Sequence, residues 1–154
     1  MHAEMKKKIT LYLDTSVPSA YFDDTKPDRQ KETKAFWDRL DQYHIYISDQ
    51  VLKEINRTPD QSRRNQLLEL VRPFELLPSE TTEVKELAEE YLIRGAISII
   101  EDAIHVAVAI VNRINTVASW NYQHLVKLRT KREVNAVNLV TGYDPIEIVD
   151  PSML

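Results

Sequence analysis

The sequence predicts an α/β protein with a mostly parallel central sheet and helices on both faces of that sheet. Short runs rich in β-branched and aromatic residues alternate along the chain with longer segments of helical periodicity. Parallel strands need crossover connections, which are usually helical and cover the faces of the sheet. The 154 residues suit one domain that is large enough to bury a hydrophobic core. We therefore predict a three-layer sandwich formed by a single domain over residues 1–154.

The first half of the chain begins with a predicted strand and a short helix. The run ITLYL at residues 9–13 predicts a buried strand, and Asp14 follows it directly. Pro18 suits the first turn of a helix. The next elements in order are a polar break at 23–28, a helix at 29–41, a strand at 44–47, a helix capped by Ser48 or Asp49 and ended by Pro59, and a helix at 61–71.

The second half of the chain contains the most apolar helix, which is predicted at residues 98–112. We expect this helix to be central and mostly buried because apolar side chains occupy most of its surface. The other predicted elements are a strand at 74–77, a helix that Thr81 or Thr82 opens and Gly95 ends, a strand at 116–119, a helix from Asn121 to about residue 130, and a strand at 146–149. Residues 137–140 also suit a strand, and the pattern leaves their assignment open.

Composition excludes several kinds of site. The sequence has no cysteine, which rules out disulfides, thiolate zinc sites and cysteine nucleophiles. The charged residues 1–8 do not resemble a signal peptide, and no apolar run is long enough to cross a bilayer. We therefore expect a cytoplasmic protein without a membrane association.

The net charge of −4 is unlike that of a globally basic nucleic-acid binder. Contacts with RNA phosphates would have to come from local clusters, because the bulk charge repels them weakly. The candidates are Lys127, Arg129, Lys131 and Arg132, and also Arg57, Arg63 and Arg64. A solvated helix end explains the first cluster equally well. Trp37, Trp120 and Tyr122 could stack on bases, but aromatic residues beside strands and helices usually belong to the core.

Acidic and amide side chains occupy positions from which they can meet at one edge of the sheet. Asp14 follows the first strand, Glu54 lies one turn into the helix after the second, and Asp102 lies near the start of the apolar helix. Asn121 follows the fourth strand. Sites in open α/β sheets form beyond the carboxyl ends of the strands. Hard oxygen ligands without sulfur favour Mg²⁺ or Mn²⁺, and such an ion can activate water for phosphodiester hydrolysis.

Each of these residues also has a purely structural explanation. Asp14 is equally consistent with a helix cap, and Glu54 alone is typical of a solvated helix carboxylate. Asp102 interrupts an apolar stretch, which is unusual for an unpartnered acid, although an acid in a first turn also suits the helix dipole. His105 forms a single Asp-x-x-His pair with Asp102, which does not make a di-iron site, so we interpret it as a hydrogen-bonded structural histidine.

Four short segments resemble the PIN-domain family in the order in which that family carries them. They are LYLDTS at 11–16, SDQVLKE at 48–54, EDAIHVAVA at 101–109 and SWNYQHL at 119–125. Within the family, the chain is most similar to the VapC-like toxin ribonucleases of bacterial toxin–antitoxin pairs. The motifs span nearly the whole chain, and the ordered set on an α/β pattern is more specific than any one of them.

The resemblance implies a PIN-like fold and a role for each matching residue. Asp14, Glu54 and Asp102 match the three family acids that bind the metal and position water. Ser16 would orient the first acid or a metal-bound water. Asn121 falls where many relatives carry a fourth acid; its amide oxygen can ligate Mg²⁺ but adds no charge.

The function implied by the resemblance is that of a metal-dependent endoribonuclease, the toxin of a type II toxin–antitoxin pair. Its cofactor would be Mg²⁺ or Mn²⁺, and its partners would be RNA, an antitoxin protein and a second copy of the chain in a homodimer. Asn121 also motivates an alternative, a non-catalytic PIN-fold module that binds RNA or protein. A third possibility is a metal-dependent enzyme that acts on DNA or small phosphates. Ser119 is expected to hydrogen-bond at the same edge.

Overall fold

The computed structural model describes residues 7–154 and contains a five-stranded sheet. Its strands are β1 (Ile9–Leu13), β2 (Tyr43–Ser48), β3 (Glu75–Leu77), β4 (Thr116–Ala118) and β5 (Glu147–Val149). The strands lie in the order β3-β2-β1-β4-β5, and every pairing is parallel. The prediction of a mostly parallel sheet is confirmed. The strand order reverses between β1 and β4, and ligands bind at such a reversal in open sheets of this kind.

Seven helices connect and cover the strands in the part of the chain that the structure describes. They are α1 (Ser16–Tyr21), α2 (Pro27–Trp37), α3 (Asp49–Asn56), α4 (Gln61–Val71), α5 (Thr82–Ile93), α6 (Ile100–Val111) and α7 (Leu128–Thr141). Two short 3₁₀ segments are Leu40–Gln42 and Pro151–Met153.

Two hydrophobic cores lie on opposite faces of the sheet. Alternation along β1 sends Leu11 and Leu13 into one core, which contains residues of α1 to α4. Tyr12 points into the other core, which contains residues of α5, α6 and α7. Helices therefore cover both faces, as predicted, and Leu11, Tyr12 and Leu13 at the end of β1 are fully buried.

The apolar helix α6 is mostly buried, as its composition predicted. Ala103 and the residues from His105 to Ile110 are all buried. Its first turn is more exposed, because Ile99 and Ile100 are 37% and 45% accessible. Asp102 therefore lies where a buried helix emerges at the edge of the sheet.

The prediction of a helix from Asn121 to about residue 130 is wrong. Residues 121–127 form turns, and α7 begins only at Leu128. The carbonyl of Asn121 accepts from the backbone N–H groups of both Leu125 and Val126, and its side chain accepts from that of His124. These bonds close one turn, and the chain does not continue as a helix because Lys127 has an extended backbone conformation, with φ −148° and ψ 150°. α7 continues through residues 137–140, so the segment left open is helical.

Smaller corrections concern the ends of the other helices. α2 begins at Pro27, whose fixed backbone suits a first helical position, and it ends at Trp37 rather than at residue 41. Ser48 caps α3 by accepting from the Gln50 N–H, whereas Asp49 accepts from the Ser79 N–H. Gly95 has a φ of +75° directly after α5, which fits its predicted role as a stop.

Within residues 7–154, no helix is both long and apolar enough to span a membrane. The prediction that concerned residues 1–8 falls mainly on residues 1–6, which lie outside the described residues. The cytoplasmic location and the single domain over residues 1–154 stay predictions.

A candidate acidic site at the carboxyl edge of the sheet

Asp14 lies at the point where the strand order reverses, between β1 and β4. It follows β1 directly, and its backbone N–H donates to the carbonyl of Ala118 at the end of β4, with an N···O distance of 3.2 Å. Its side chain is only 3% exposed. Two strand ends therefore hold this carboxylate in place.

Two serine hydroxyl groups fix the orientation of the Asp14 carboxylate. Ser119 Oγ donates to Oδ2 at 2.5 Å, and Ser16 donates to Oδ1 from both its hydroxyl at 2.5 Å and its backbone N–H at 3.1 Å. The Ser16 hydroxyl also accepts from the Trp120 N–H at 2.8 Å, which joins α1 to the segment after β4. Burial raises the pKa of Asp14, and the charge of His105 and the two serine bonds oppose that rise only in part.

Glu54 points from α3 toward the same edge and is held at one of its two oxygens. Its Oε2 accepts from Thr15 Oγ1 at 2.6 Å and lies 2.7 Å from His105 Nε2. Burial alone would raise the pKa of Glu54, but the hydrogen bond and charge of His105, helped by Thr15, lower it. Glu54 is therefore ionised at neutral pH.

His105 connects Glu54 to a chain of buried hydroxyl groups. The residue is buried, and its Nδ1 lies 2.7 Å from the Tyr12 hydroxyl, which in turn lies 2.7 Å from Ser48 Oγ. Burial lowers the pKa of His105, but the hydrogen bond and charge of Glu54 together with the charges of Asp14 and Asp102 outweigh burial, and the net shift is upward. The raised pKa favours the imidazolium form, in which both ring nitrogens donate.

Asp102 completes the set of acids from the first turn of α6. Its pKa is raised to about 6, first by burial and then by the negative charge of Asp14, with a smaller contribution from Glu54. Positive charge on His105 and His124 acts in the opposite direction. The acids thus lie close enough to repel one another, as expected of carboxylates that share a pocket.

Asn121 is hydrogen-bonded at both ends of its amide. Its Nδ2 donates to Asp102 Oδ2 at 3.3 Å, and its Oδ1 accepts from the His124 N–H at 3.0 Å. Its backbone N–H donates to Ser119 Oγ at 3.0 Å. The residue predicted to stand in the position of a fourth acid thus lies beside the third acid and faces it with a donor group.

The donor chemistry of the edge fits a hard divalent cation. Asp14, Glu54 and Asp102 offer carboxylate oxygens, which hard cations prefer. Burial is the main cause of the raised pKa values of Asp14 and Asp102, and repulsion among the acids, which a cation would offset, adds to it. As the side chains stand, no group of three acidic or histidine side chains within residues 7–154 closes around one point as a ligand set. The edge therefore fits a cation in the type and charge of its donor groups, and the side chains of the described residues do not form a closed ligand set.

Two features of the site escaped the sequence analysis. The contact of His105 with Glu54 joins two helices that are distant in the sequence, and only the Asp-x-x-His spacing of α6 indicated it. The second feature is the pair of contacts that the Tyr12 hydroxyl makes with His105 and Ser48. The hydroxyl itself was the signal for them, because a polar group in the middle of a buried strand needs a hydrogen-bond partner.

Comparison with known proteins gives a family and a fold. The family model of the PIN domain matches residues 11–124 of this chain. The chain is similar to one in the crystal structure of VapBC2 from Rickettsia felis bound to a DNA fragment from its promoter, at 16% identity and a TM-score of 0.61, covering 92% of this chain and 98% of the other. It is also similar to one in FitAcB from Neisseria gonorrhoeae, at 19% identity and a TM-score of 0.60, covering 94% and 99%. No curated protein matches the sequence significantly.

Proposed function

The chain belongs to the PIN-domain family, and from that premise we propose that it is a metal-dependent endoribonuclease with Asp14, Glu54 and Asp102 at its active site. PIN domains are generally nucleases that use divalent metal ions. The observation that carries the proposal is geometric: a chain of hydrogen bonds through Ser119 and Asn121 joins Asp14 to Asp102 where the strand order reverses. Burial raises the pKa of Asp102 to about 6 with a contribution from the charge of Asp14, and a bound cation would offset that repulsion.

Asp14 and Asp102 are the residues that would hold the ion, and Glu54 would complete the set. A bound Mg²⁺ or Mn²⁺ supplies charge neutralisation at the phosphate and lowers the pKa of a water molecule. Ser16 and Ser119 keep the Asp14 carboxylate in one orientation, so that little entropy is lost when a ligand binds.

Glu54 is suited to orient the attacking water. His105 and Thr15 hold its Oε2, whereas its Oε1 makes no hydrogen bond within the described part of the chain. The lowered pKa keeps the group ionised at neutral pH. Oε1 can therefore accept a hydrogen bond from water while the other oxygen anchors the side chain.

The substrate and the reaction are tested together. Purified protein is incubated with single-stranded RNA, single-stranded DNA of the same sequence and a nucleotide monophosphate, each with Mg²⁺, with Mn²⁺ and with excess chelator. We expect internal cleavage of RNA that the chelator abolishes. Preferential hydrolysis of DNA or of the monophosphate would assign the site to the third class of enzyme instead.

The biological role that we propose is that of the toxin in a type II toxin–antitoxin pair, with an antitoxin protein and a second copy of the chain as partners. It is supported by the sequence resemblance to VapC-like toxins and by the fold shared with VapBC2 and FitAcB. Co-expression with the product of an adjacent small gene should yield a complex that suppresses RNA cleavage. The mass of the isolated chain in solution tests the homodimer.

A second candidate is a non-catalytic PIN-fold module, and Asn121 favours it. The Oδ1 of Asn121 is already bound to a backbone N–H, and its Nδ2 faces Asp102 where many relatives have another acid. Thermal melting with Mn²⁺ separates the two candidates. An active site predicts a higher melting temperature as Mn²⁺ increases, whereas no shift would favour the binding module.

A further inference from the structure

A cationic pocket lies beside the acidic site and is continuous with it. Its volume is about 280 Å³, and its lining includes Ser16 and Asn121, which contact Asp14 and Asp102 respectively. The lining also includes Lys26 and Arg29, where α2 begins. A strand of nucleic acid that crosses the acidic edge would therefore reach this pocket next.

Arg29 is held in the pocket by two aromatic rings. Its guanidinium carbon lies 5.3 Å from the ring centre of Tyr122 and 5.8 Å from that of Trp120. Both rings are themselves anchored, because Trp120 Nε1 donates to Thr33 Oγ1 at 2.9 Å and the Tyr122 hydroxyl donates to Asp150 Oδ2 at 2.5 Å. Stacking on fixed rings orders the guanidinium group without using its N–H donors.

The charge of Arg29 is not neutralised by an ion pair within the described part of the chain. Among residues 7–154, no carboxylate lies within salt-bridge distance of Arg29 or of Lys26, and no hydrogen bond uses the Arg29 side-chain donors. Asp23, the acid in the lining, accepts instead from the backbone N–H and hydroxyl of Thr25. Among the described residues, the pocket thus presents Arg29 as a cation without a carboxylate partner and Lys26 as a second cation whose charge also acts on Asp23.

We propose that this pocket binds a backbone phosphate of the RNA strand, next to the phosphate that is cleaved. Arg29 is the main ligand, because its planar fork of donors matches the oxygens of a phosphate, and Lys26 adds a second positive charge. Trp120 and Tyr122 act through Arg29 as positioning residues. The inference rests on the proposed ribonuclease function.

A phosphate subsite resolves an electrostatic difficulty of the proposed function. The chain carries a net charge of −4, and the acids at the edge repel an approaching phosphodiester. A cationic pocket at the border of those acids attracts the strand locally and fixes its register. Arg29 is better suited to this than Arg129 on α7, which is 80% exposed and pairs with Glu133.

Binding of a short fluorescent single-stranded RNA tests the subsite. Full-length protein in excess chelator, which prevents cleavage, is titrated over a range of salt concentrations. We expect Arg29→Gln to weaken binding about tenfold, the effect of one lost charge-assisted contact. The slope of log affinity against log salt should fall by about 0.7, as for one phosphate contact to a single strand.

Arg72→Gln is the matched control, because it removes the same charge from the opposite edge of the sheet. Arg72 is 77% exposed and lies just before β3 begins. The Arg72→Gln variant should bind RNA as the parent does, with the same slope of log affinity against log salt. Tyr122→Leu should weaken RNA binding, whereas Tyr122→Phe should bind RNA as the parent does because the ring that orders Arg29 is retained.

The outcomes separate the subsite from the proposed function. If the parent neither binds nor cleaves RNA, the ribonuclease proposal fails. If the parent binds RNA and Arg29→Gln equals Arg72→Gln, the subsite is wrong while the ribonuclease stands, and the pocket is left for a protein partner. Weaker binding with an unchanged salt slope would also overturn a direct contact with phosphate.

Discussion

His105 and His44 each contact a glutamate, and burial determines how much each contact contributes to stability. Each places its Nε2 2.7 Å from a glutamate oxygen, Glu54 for the first and Glu75 for the second. The His105 side chain is 2% exposed, whereas that of His44 is 48% exposed. Removing one member of a buried pair leaves an unpaired charge and is costly, whereas exposed pairs contribute little.

His105→Leu should therefore lower the free energy of unfolding by about 3 kcal/mol, the usual cost of breaking a buried pair. His44→Leu should lower it by about 1 kcal/mol or less, as for an exposed pair. Denaturant titration at one pH measures both. Equal effects of the two substitutions would contradict the account of the buried pair.

The cost of His105→Leu should also depend on pH. The folded pKa of His105 is raised above 6.5, so its contribution is fully present below that value and is lost as the pH rises through the folded pKa. The folded pKa of Glu54 is lowered below 4.5, so its contribution is present above that value and is lost as the pH falls. We expect the largest difference from the parent between these two values, near pH 5.5 as an approximate midpoint.

Asp102 should destabilise the metal-free protein when it is ionised. Its folded pKa of about 6 lies above the ordinary value of 3.8, so its favourable contribution is complete at low pH and is lost as the pH rises through 6. Asp102→Asn should therefore stabilise the metal-free protein at pH 7.5 by about 1–2 kcal/mol, after discounting for its partial exposure. The gain should vanish near pH 4.

Glu101→Gln is the control for that substitution, because it removes an acid from the same first turn of α6. It should destabilise slightly or have no effect, since only the interaction with the helix dipole is lost. Melting temperatures in chelator at pH 7.5 and pH 4 compare the variants. A loss of stability for Asp102→Asn at pH 7.5 would show that Asp102 is not under repulsion.

At the scale of elements, the segment that connects β4 to α7 supplies a hydrogen-bond donor to Asp102. Asn121 caps the turns of this segment through its Oδ1 and donates to Asp102 through its Nδ2. An aspartate at position 121 would keep the cap, because a carboxylate oxygen also accepts from the His124 N–H. It would replace a donor to Asp102 with a like charge.

Asn121→Asp should therefore lower the stability of the metal-free protein by about 1–2 kcal/mol, the cost of a close pair of like charges. It should also increase the rise in melting temperature that Mn²⁺ produces, because it adds a charged oxygen ligand. Asn115→Asp, at the start of β4 and so at the opposite edge of the sheet, is the control. The same Mn²⁺ response in both variants would exclude Asn121 from the metal site.

The sequence predicted the elements well where hydrophobic periodicity is strong. β1, α4 and α5 lie where the pattern placed them, because each pattern repeats over several residues. It failed between residues 121 and 141, where the turn that begins at Asn121 ends at the extended Lys127 and a second, longer helix begins at Leu128. Hydrophobic periodicity does not show such a break in the backbone.

The candidate site was predictable in part for a related reason. Asp14 follows a strand, and the rule that sites form beyond strand ends applies to it directly. The contacts of Glu54 with His105 and of Arg29 with Tyr122 join elements that are far apart in the sequence. Spacing along one helix shows which residues share a face, but it does not show which residue of another element they meet.

At the scale of the whole molecule, the order of the strands brings the site together. β2 and β3 extend the sheet on one side of β1, whereas β4 and β5 extend it on the other. The crevice between the carboxyl ends of β1 and β4 therefore receives side chains from helices on both faces. Glu54 comes from α3 on one face and Asp102 from α6 on the other, and Asp14 lies between them.

Cleavage of single-stranded RNA by Asp14→Asn, compared with Asp41→Asn, tests the central claim most directly. Asp41 is exposed and precedes β2, so it lies at the opposite edge of the sheet from the acidic site. We expect Mg²⁺-dependent or Mn²⁺-dependent cleavage by the parent and by Asp41→Asn at equal rates, and a loss of at least about a hundredfold for Asp14→Asn. Cleavage by Asp14→Asn at the rate of the parent, with an intact fold, would contradict the assignment of the active site.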